Sequence, residues 1–251
     1  MEALCMARAL LVAVDDLWRS FQRERGVVSA VKGCSFRISA GENIAIMGPS
    51  GCGKTTLLNL IAGLDIPSSG RVEWPGLGSS DTLRPERIGV VFQSANLMPA
   101  LTAVENVELP ILLGNGSDAR ARALTALATF GVELLAQKLP EQLSGGQAER
   151  IAVARAIVTN PELIVADEPT GQLDQAGGAI LVDRLLAWGR QTGSAIIIAT
   201  HDERVAAKMN QVWRMRHGRI ESMIGRSTCT GIGCSDLSEP VPAASSAPSA
   251  V

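Results

Sequence analysis

Tyrosine is absent from this chain of 251 residues, and aromatic residues of every kind make up only 3% of it. The hydrophobic share of 46% is nonetheless ordinary for a globular core. A surplus of positive charge is also missing: 23 Lys and Arg stand against 25 Asp and Glu, a formal charge of -2. That removes the electrostatic case for nucleic acid. Arg19, Arg23 and Arg25, and Arg214, Arg216 and Arg219, read instead as solvated faces. No apolar run approaches the ~18 residues that cross a bilayer, so a membrane role would come through a partner. The segment Ala9-Leu10-Leu11-Val12-Ala13-Val14 is too short for the apolar stretch of a signal peptide and is closed by Asp15-Asp16; it reads as a first strand. Cysteines number five, an odd count, and Cys52 lies where a disulfide would be awkward, which fits a reduced cytosolic setting. Cys229 and Cys234 read as a tail thiol pair rather than half of a metal site.

The length allows one large α/β domain or two small ones. Residues 8 to about 40 alternate apolar and polar groups in short bursts, as in Ser35-Phe36-Arg37-Ile38, and predict antiparallel strands. Asn43 to Met47 is a buried strand running into a glycine-rich loop, and Thr55 to Ala62 has helical spacing that stops at Gly63. A short strand is expected over Arg87 to Phe92. From about 96 to 158 the pattern is helical, broken by Pro99, Pro110, Gly114-Asn115-Gly116 and Pro140. Apolar strands at Leu163 to Ala166 and Ala195 to Thr200 flank a helix around Ala179 to Arg190, the alternation of a parallel sheet. Arg214 to Ile220 predicts a hairpin turning at His217-Gly218. Residues 225–251, rich in Ser, Pro and Ala, read as a disordered tail.

Gly48-Pro49-Ser50-Gly51-Cys52-Gly53-Lys54-Thr55 fits Gly-x-x-x-x-Gly-Lys-Ser/Thr between a strand and a helix, the context in which that spacing binds phosphate. Its glycines let backbone N–H groups approach phosphate oxygens. Lys54 reaches the β and γ oxygens, Thr55 ligates Mg²⁺, and Thr56 supports the α-phosphate. The expected fold class is therefore α/β: a P-loop NTPase core with a mostly parallel sheet, an N-terminal antiparallel β subdomain and an inserted helical subdomain.

Asp167 ends an apolar strand, where an unpaired carboxylate is costly and a shared Mg²⁺ resolves the cost. Glu168 follows as the candidate base for an attacking water; alone, the pair would read equally as a helix cap. His201 ends the strand Ala195 to Thr200 on the ligand side of such a sheet, within reach of a γ-phosphate, although an isolated histidine there can be structural. Leu143-Ser144-Gly145-Gly146-Gln147, with a helical pattern after it, is a second anion-binding device. One nucleotide site does not need two.

The run GPSGCGKTT, then Gln93, LSGGQ, VADEP, Leu173-Asp174 and His201, resembles the ATP-binding subunit of an ATP-binding-cassette transporter over residues 8–222. The resemblance implies ATP and Mg²⁺, a homodimer paired head to tail through the ATP sites, and an integral-membrane permease that holds the subunit on the inner face of the cell membrane. Ser144, Gly145, Gly146 and Gln147 would then serve the partner's nucleotide. Asp174 would couple the two sites, and Gln93 would contact Mg²⁺ or the water and link hydrolysis to the permease. Phe21 stands about where the family places an adenine-stacking aromatic, usually tyrosine, and is the residue assigned that role; Trp18 is the fallback, and a core aromatic is the lesser reading of Phe21.

Finer likeness in Phe92 to Pro99, Thr102 to Pro110 and Pro169 to Asp174 is to the lipoprotein-release and macrolide-export branch, which usually has Asn where this chain has Gln172. Ala148-Glu149 also departs from the usual run, while Arg150 is retained. The expected function is a motor for export or extraction of lipophilic or peptide-like cargo. The alternative is an ATP-switched regulator of a membrane partner, like the cell-division branch. DNA-repair and translation ATPases fit poorly: the chain has no long coiled-coil insertion and only one cassette.

Overall fold

The computed structural model describes residues 8–24, 26–114 and 116–225. Arg25, the expected tail from 226 onward, and Cys5, Cys229 and Cys234 lie outside the described residues. Gly225, placed in the tail from sequence, ends a strand.

Two sheets organise the chain. Strands β1 (Leu10–Arg23), β2 (Gly26–Ser39) and β4 (Ser69–Glu73) form an antiparallel sheet in the order β2-β1-β4. Strands β3 (Asn43–Met47), β5 (Ile88–Val91), β6 (Leu163–Asp167), β7 (Ala195–Thr200), β8 (Gln211–Arg216) and β9 (Arg219–Gly225) form the second, in the order β5-β6-β7-β3-β8-β9. All its neighbours run parallel except β9, which turns back on β8. The turn is the predicted His217-Gly218, with φ of 49° and 83°; two left-handed residues suit the twist of a tight hairpin.

The parallel strands are apolar on both faces because both are covered. Ile44, Ile46, Leu163, Val165 and Ile197 face a cluster shared with β1, β2 and helix α1 (Lys54–Ile61). Their alternates Ala45, Met47, Ile164, Ala166, Ile196 and Ile198 face α4 (Gly145–Ile157) and α5 (Gln175–Thr192). Fully burying each such aliphatic side chain stabilises the fold by about 1.5–3 kcal/mol.

The helical insertion holds α2 (Ala103–Leu113), α3 (Ala119–Thr129) and α4, and a short α6 (Glu203–Ala207) follows β7. Pro110, expected to break the pattern, lies inside α2. A single lost N–H bond does not end a helix whose Val104, Val107 and Ile111 are buried and whose start is fixed by a Thr102–Glu105 capping box. The break falls at Gly114, the C-cap. Strand β4 and helix α6 had no clear sequence signal: Ser69–Glu73 carries one partly buried valine, and α6 is five residues long.

Candidate functional site

The strand order places β6, β7 and β3 side by side, so three loops leave one edge of the sheet together. Met47 pairs with Thr200 and Asp167 with Ala199, which levels the ends of the three strands. The glycine-rich loop, the Asp167-Glu168 pair and His201 follow from those ends. They meet in a cavity of about 650 Å³ lined by Ser50, Gly51, Gly53, Lys54, Thr55, Thr56, Gln93, Asp167, Glu168 and His201. Ala30, Gly171 and Gln172 complete the lining. Of these three, Gly171 and Gln172 fall in the Pro169–Asp174 run that carries the finer likeness, and Ala30 has no signal in the sequence.

Two glycines fix the loop. A Cβ at Gly48 would stand 2.2 Å from the Met215 carbonyl oxygen and 2.7 Å from Cys52 Sγ. Gly53 has φ of 110°, and a Cβ there would stand 2.1 Å from the Ala30 carbonyl oxygen. Gly53 is also the N-cap of α1 and supplies no side chain, so the first N–H groups of the helix are left for an anion. Lys54 is buried, with Nζ donating to the carbonyls of Gly48 at 2.8 Å and Pro49 at 3.2 Å. The ammonium is thereby held beneath the loop. Gly48 and Cys52 shape the loop from below rather than lining the cavity. The Cys52 thiol is buried and free, as is that of Cys34.

The Thr55 hydroxyl donates to Asp167 Oδ2 at 2.5 Å. Asp167 is 7% exposed, and burial pushes its carboxyl above the usual aspartate range, against the pull of the Thr55 hydrogen bond. A hydroxyl, one carboxylate and the amide of Gln93 on the same cavity are hard oxygen donors of the kind Mg²⁺ takes together with substrate phosphates. The donor set fits that ion. Gln93 itself is exposed, and Arg155 of α4 steadies the segment after it by donating to the carbonyls of Ala95 at 2.8 Å and Asn96 at 2.9 Å.

Glu168 has φ of 49°, an uncommon backbone state for a glutamate. Two hydrogen bonds hold it: its N–H donates to the Ala199 carbonyl at 2.9 Å, and its carbonyl accepts from the Gly171 N–H at 3.0 Å. The result aims the carboxylate at His201, whose Nδ1 lies 2.9 Å from Oε2. No helix starts here, which removes the capping reading. The next helix, α5, begins at Gln175 and is capped by Asp174, whose Oδ1 accepts from the Gly177 N–H at 2.8 Å.

Ser144, Gly145, Gly146 and Gln147 lie outside this cavity. They form the first turn of α4, exposed at Ser144 and Gly145 and half-buried at Gly146 and Gln147, closed by a reciprocal box: the Ser144 hydroxyl accepts from the Gln147 N–H at 3.3 Å, and Gln147 Oε1 accepts from the Ser144 N–H at 3.0 Å. Among the described residues, no acceptor takes the N–H groups of Gly145 and Gly146. Phe21 also lies away from the cavity lining. It is half-buried on β1 under the Arg19 guanidinium, 4.6 Å from the ring centre. Trp18, the alternative, donates to Asp16 and lies 5.7 Å from the Arg219 guanidinium.

The chain is similar to known proteins in sequence and in fold. The sequence pattern of the family described as ABC transporter matches residues 31–171. The lipoprotein-releasing system ATP-binding protein LolD of Legionella pneumophila (strain Paris) is 37% identical over 220 residues, covering 84% of this chain and 97% of that protein. The dimeric structure of a post-hydrolysis state of the ATP-binding cassette MJ0796, bound to ADP and Pi, is similar with a TM-score of 0.80 and 35% identity, covering 87% of this chain and 100% of that one. CbiO1 from Clostridium perfringens, part of the ABC transporter complex cbiONQ, gives a TM-score of 0.73 at 32% identity, covering 87% and 89%.

Proposed function

This chain belongs to the ABC transporter family as an ATP-binding, ATP-hydrolysing subunit, and from that premise we propose that two copies close on ATP and drive a separate integral-membrane permease. One observation carries the proposal. Among the described residues, helices α1 and α4 both begin with glycines beside a hydroxyl residue, and of these two only α1 faces the cavity of its own chain. The free N–H groups of Gly145 and Gly146 and the hydroxyl of Ser144, with Gln147 beside them, then complete the site of the partner copy. Asp174, at the head of α5, couples the two sites.

Within its own site the N–H groups of Ser50, Gly51 and Gly53 cradle the phosphates, on a loop that Gly48 and Cys52 shape from below. Lys54 neutralises the β and γ oxygens, and Thr56 steadies the α-phosphate. Thr55, Asp167 and Gln93 hold Mg²⁺, which when bound offsets charge on the phosphate oxygens. Glu168 accepts a proton from water as its oxygen attacks the γ-phosphorus in line and the bond to the bridging oxygen breaks. His201 orients Glu168 and meets the γ-phosphate. Phe21 stacks on adenine once the first sheet approaches the nucleotide.

No described helix is long and apolar enough to cross a membrane. The subunit sits on the inner, cytoplasmic face through its permease. Similarity to lipoprotein-releasing proteins favours extraction or export of a lipophilic or peptide-like cargo. The test is the oligomeric state of Glu168→Gln with ATP and Mg²⁺, read by light scattering. A dimer that forms with ATP and not with ADP is the expected result; a monomer at saturating ATP overturns the composite site.

A further inference from the structure

Glu149 lies one turn into α4 behind the Ser144–Gly146 turn. It is 4% exposed, and no cation pairs with it among the described residues. Its Oε1 accepts from the backbone N–H of Gln172 at 2.9 Å, while the buried Oε2 has no partner among the described residues. A buried carboxylate without a cation is costly, so its one hydrogen bond carries unusual weight.

That bond joins two functional segments. Gln172 is one residue beyond Gly171, whose N–H fixes the strained backbone of Glu168. On the other side the same linker presses on the first turn of α4. A Cβ at Gly145 would stand 3.1 Å from the Gln172 side chain, and one at Gly146 would stand 2.6 Å from Leu173 Cδ2.

We propose that Glu149 is a positioning residue that fastens the linker behind Glu168 to the turn that serves the partner's nucleotide, so that the two halves of each chain's work move as one body. The proposal rests on the roles given above to Glu168 and to Ser144–Gly146. The carboxylate is also poised to ionise near neutrality, because burial pushes it up to about 7, opposed only by the Gln172 hydrogen bond.

Charged groups on the elements packed against α4 and on the linker are otherwise engaged. On α2 and α3, Glu105 caps its helix, Glu108 pairs with Arg120, and Arg122 donates to the Val158 carbonyl. On the linker and strand, Asp174 caps α5, Asp167 is bonded to Thr55, and Glu168 faces His201. Arg150, next on α4, lies toward Gly177. Loss of the proton strengthens the bond to the Gln172 N–H, since a carboxylate is the better acceptor. The fastening therefore tightens as pH rises through about 7.

The test compares the full-length chain with Glu149→Gln and Glu149→Ala by steady-state hydrolysis of Mg²⁺·ATP from about pH 6 to about pH 8. In the wild type, kcat rises about five- to tenfold across neutrality, with KM changed less than about twofold. Glu149→Gln keeps an acceptor for Gln172 but cannot ionise, so that rise disappears and kcat stays at its low-pH level. Glu149→Ala is lower in kcat at every pH. The same inflection in Glu149→Gln as in wild type overturns the proposal, as does a loss of kcat matched by a loss of ATP affinity and of melting temperature. Glu168→Gln is run beside them: wild-type turnover that does not depend on Glu168 overturns the underlying reading, an outcome separate from a failure of Glu149 alone.

Discussion

Two turns in this chain begin a helix with glycines and a hydroxyl residue, and their surroundings are opposite. The turn at Gly48–Thr55 lines a cavity, and the cation beneath it, Lys54, is satisfied by two loop carbonyls. The turn at Ser144–Gln147 lies outside that cavity with Ser144 and Gly145 exposed, and the carboxylate beneath it, Glu149, has one oxygen bonded and the other without a partner among the described residues. The same backbone chemistry faces a cavity of its own chain in the first place and points away from it in the second. Which of the two holds is set by the strand ends that stand beside the turn, not by the turn itself.

The contrast breaks most sharply at Glu168. Glu168→Gln should lower turnover by about a hundredfold or more while ATP still binds, since a positioned base contributes on that scale. Phosphate release and nucleotide titration check it together. Lys54→Ala should weaken ATP binding by about ten- to a hundredfold, the loss of a charged hydrogen-bond donor in a buried setting, read by calorimetry. Unchanged affinity would mean that the first turn binds phosphate through its backbone alone.

A smaller effect sharpens the second turn. Ser144→Arg and Lys54→Ala should each be nearly inactive, yet an equal mixture should recover about a quarter of wild-type turnover. Half of randomly paired dimers are mixed, and each mixed dimer keeps one intact site of two. No recovery in dimers shown to be mixed would place the second turn outside the partner's site.

The smallest effect concerns the buried charges. The folded chain holds a proton on Glu149 up to about 7, against an ordinary glutamate value of 4.5, so between these values it binds more protons than the unfolded chain. Stability contributed by this group therefore falls as pH rises through that window and stays low above it. Glu149→Gln should melt a few degrees higher than wild type at about pH 8 and lose the advantage near pH 4.5. Equal melting curves at both pH values would show that the carboxylate is not strained in the folded state.

Much of the site was legible in the residues because the chemistry demands fixed types at fixed spacing. The loop at Gly48–Thr55, the Asp167-Glu168 pair and His201 could be read in line, and the strands that carry them are apolar on both faces. Pro110 misled because a buried helix face outweighs one missing N–H. Ala30 lines the cavity without any chemical signal, and Glu149 is an ordinary surface residue type until packing buries it.

The amino-acid sequence by itself determined the set of candidate site residues and the alternation of strands and helices, since both depend on local spacing. Only the tertiary structure decided which turns share a cavity. That follows from the order β6-β7-β3 in the sheet, which levels three distant strand ends. It also decided that a carboxylate behind the second turn is buried against the backbone of the linker, because burial is a property of what packs on a residue and not of the residue.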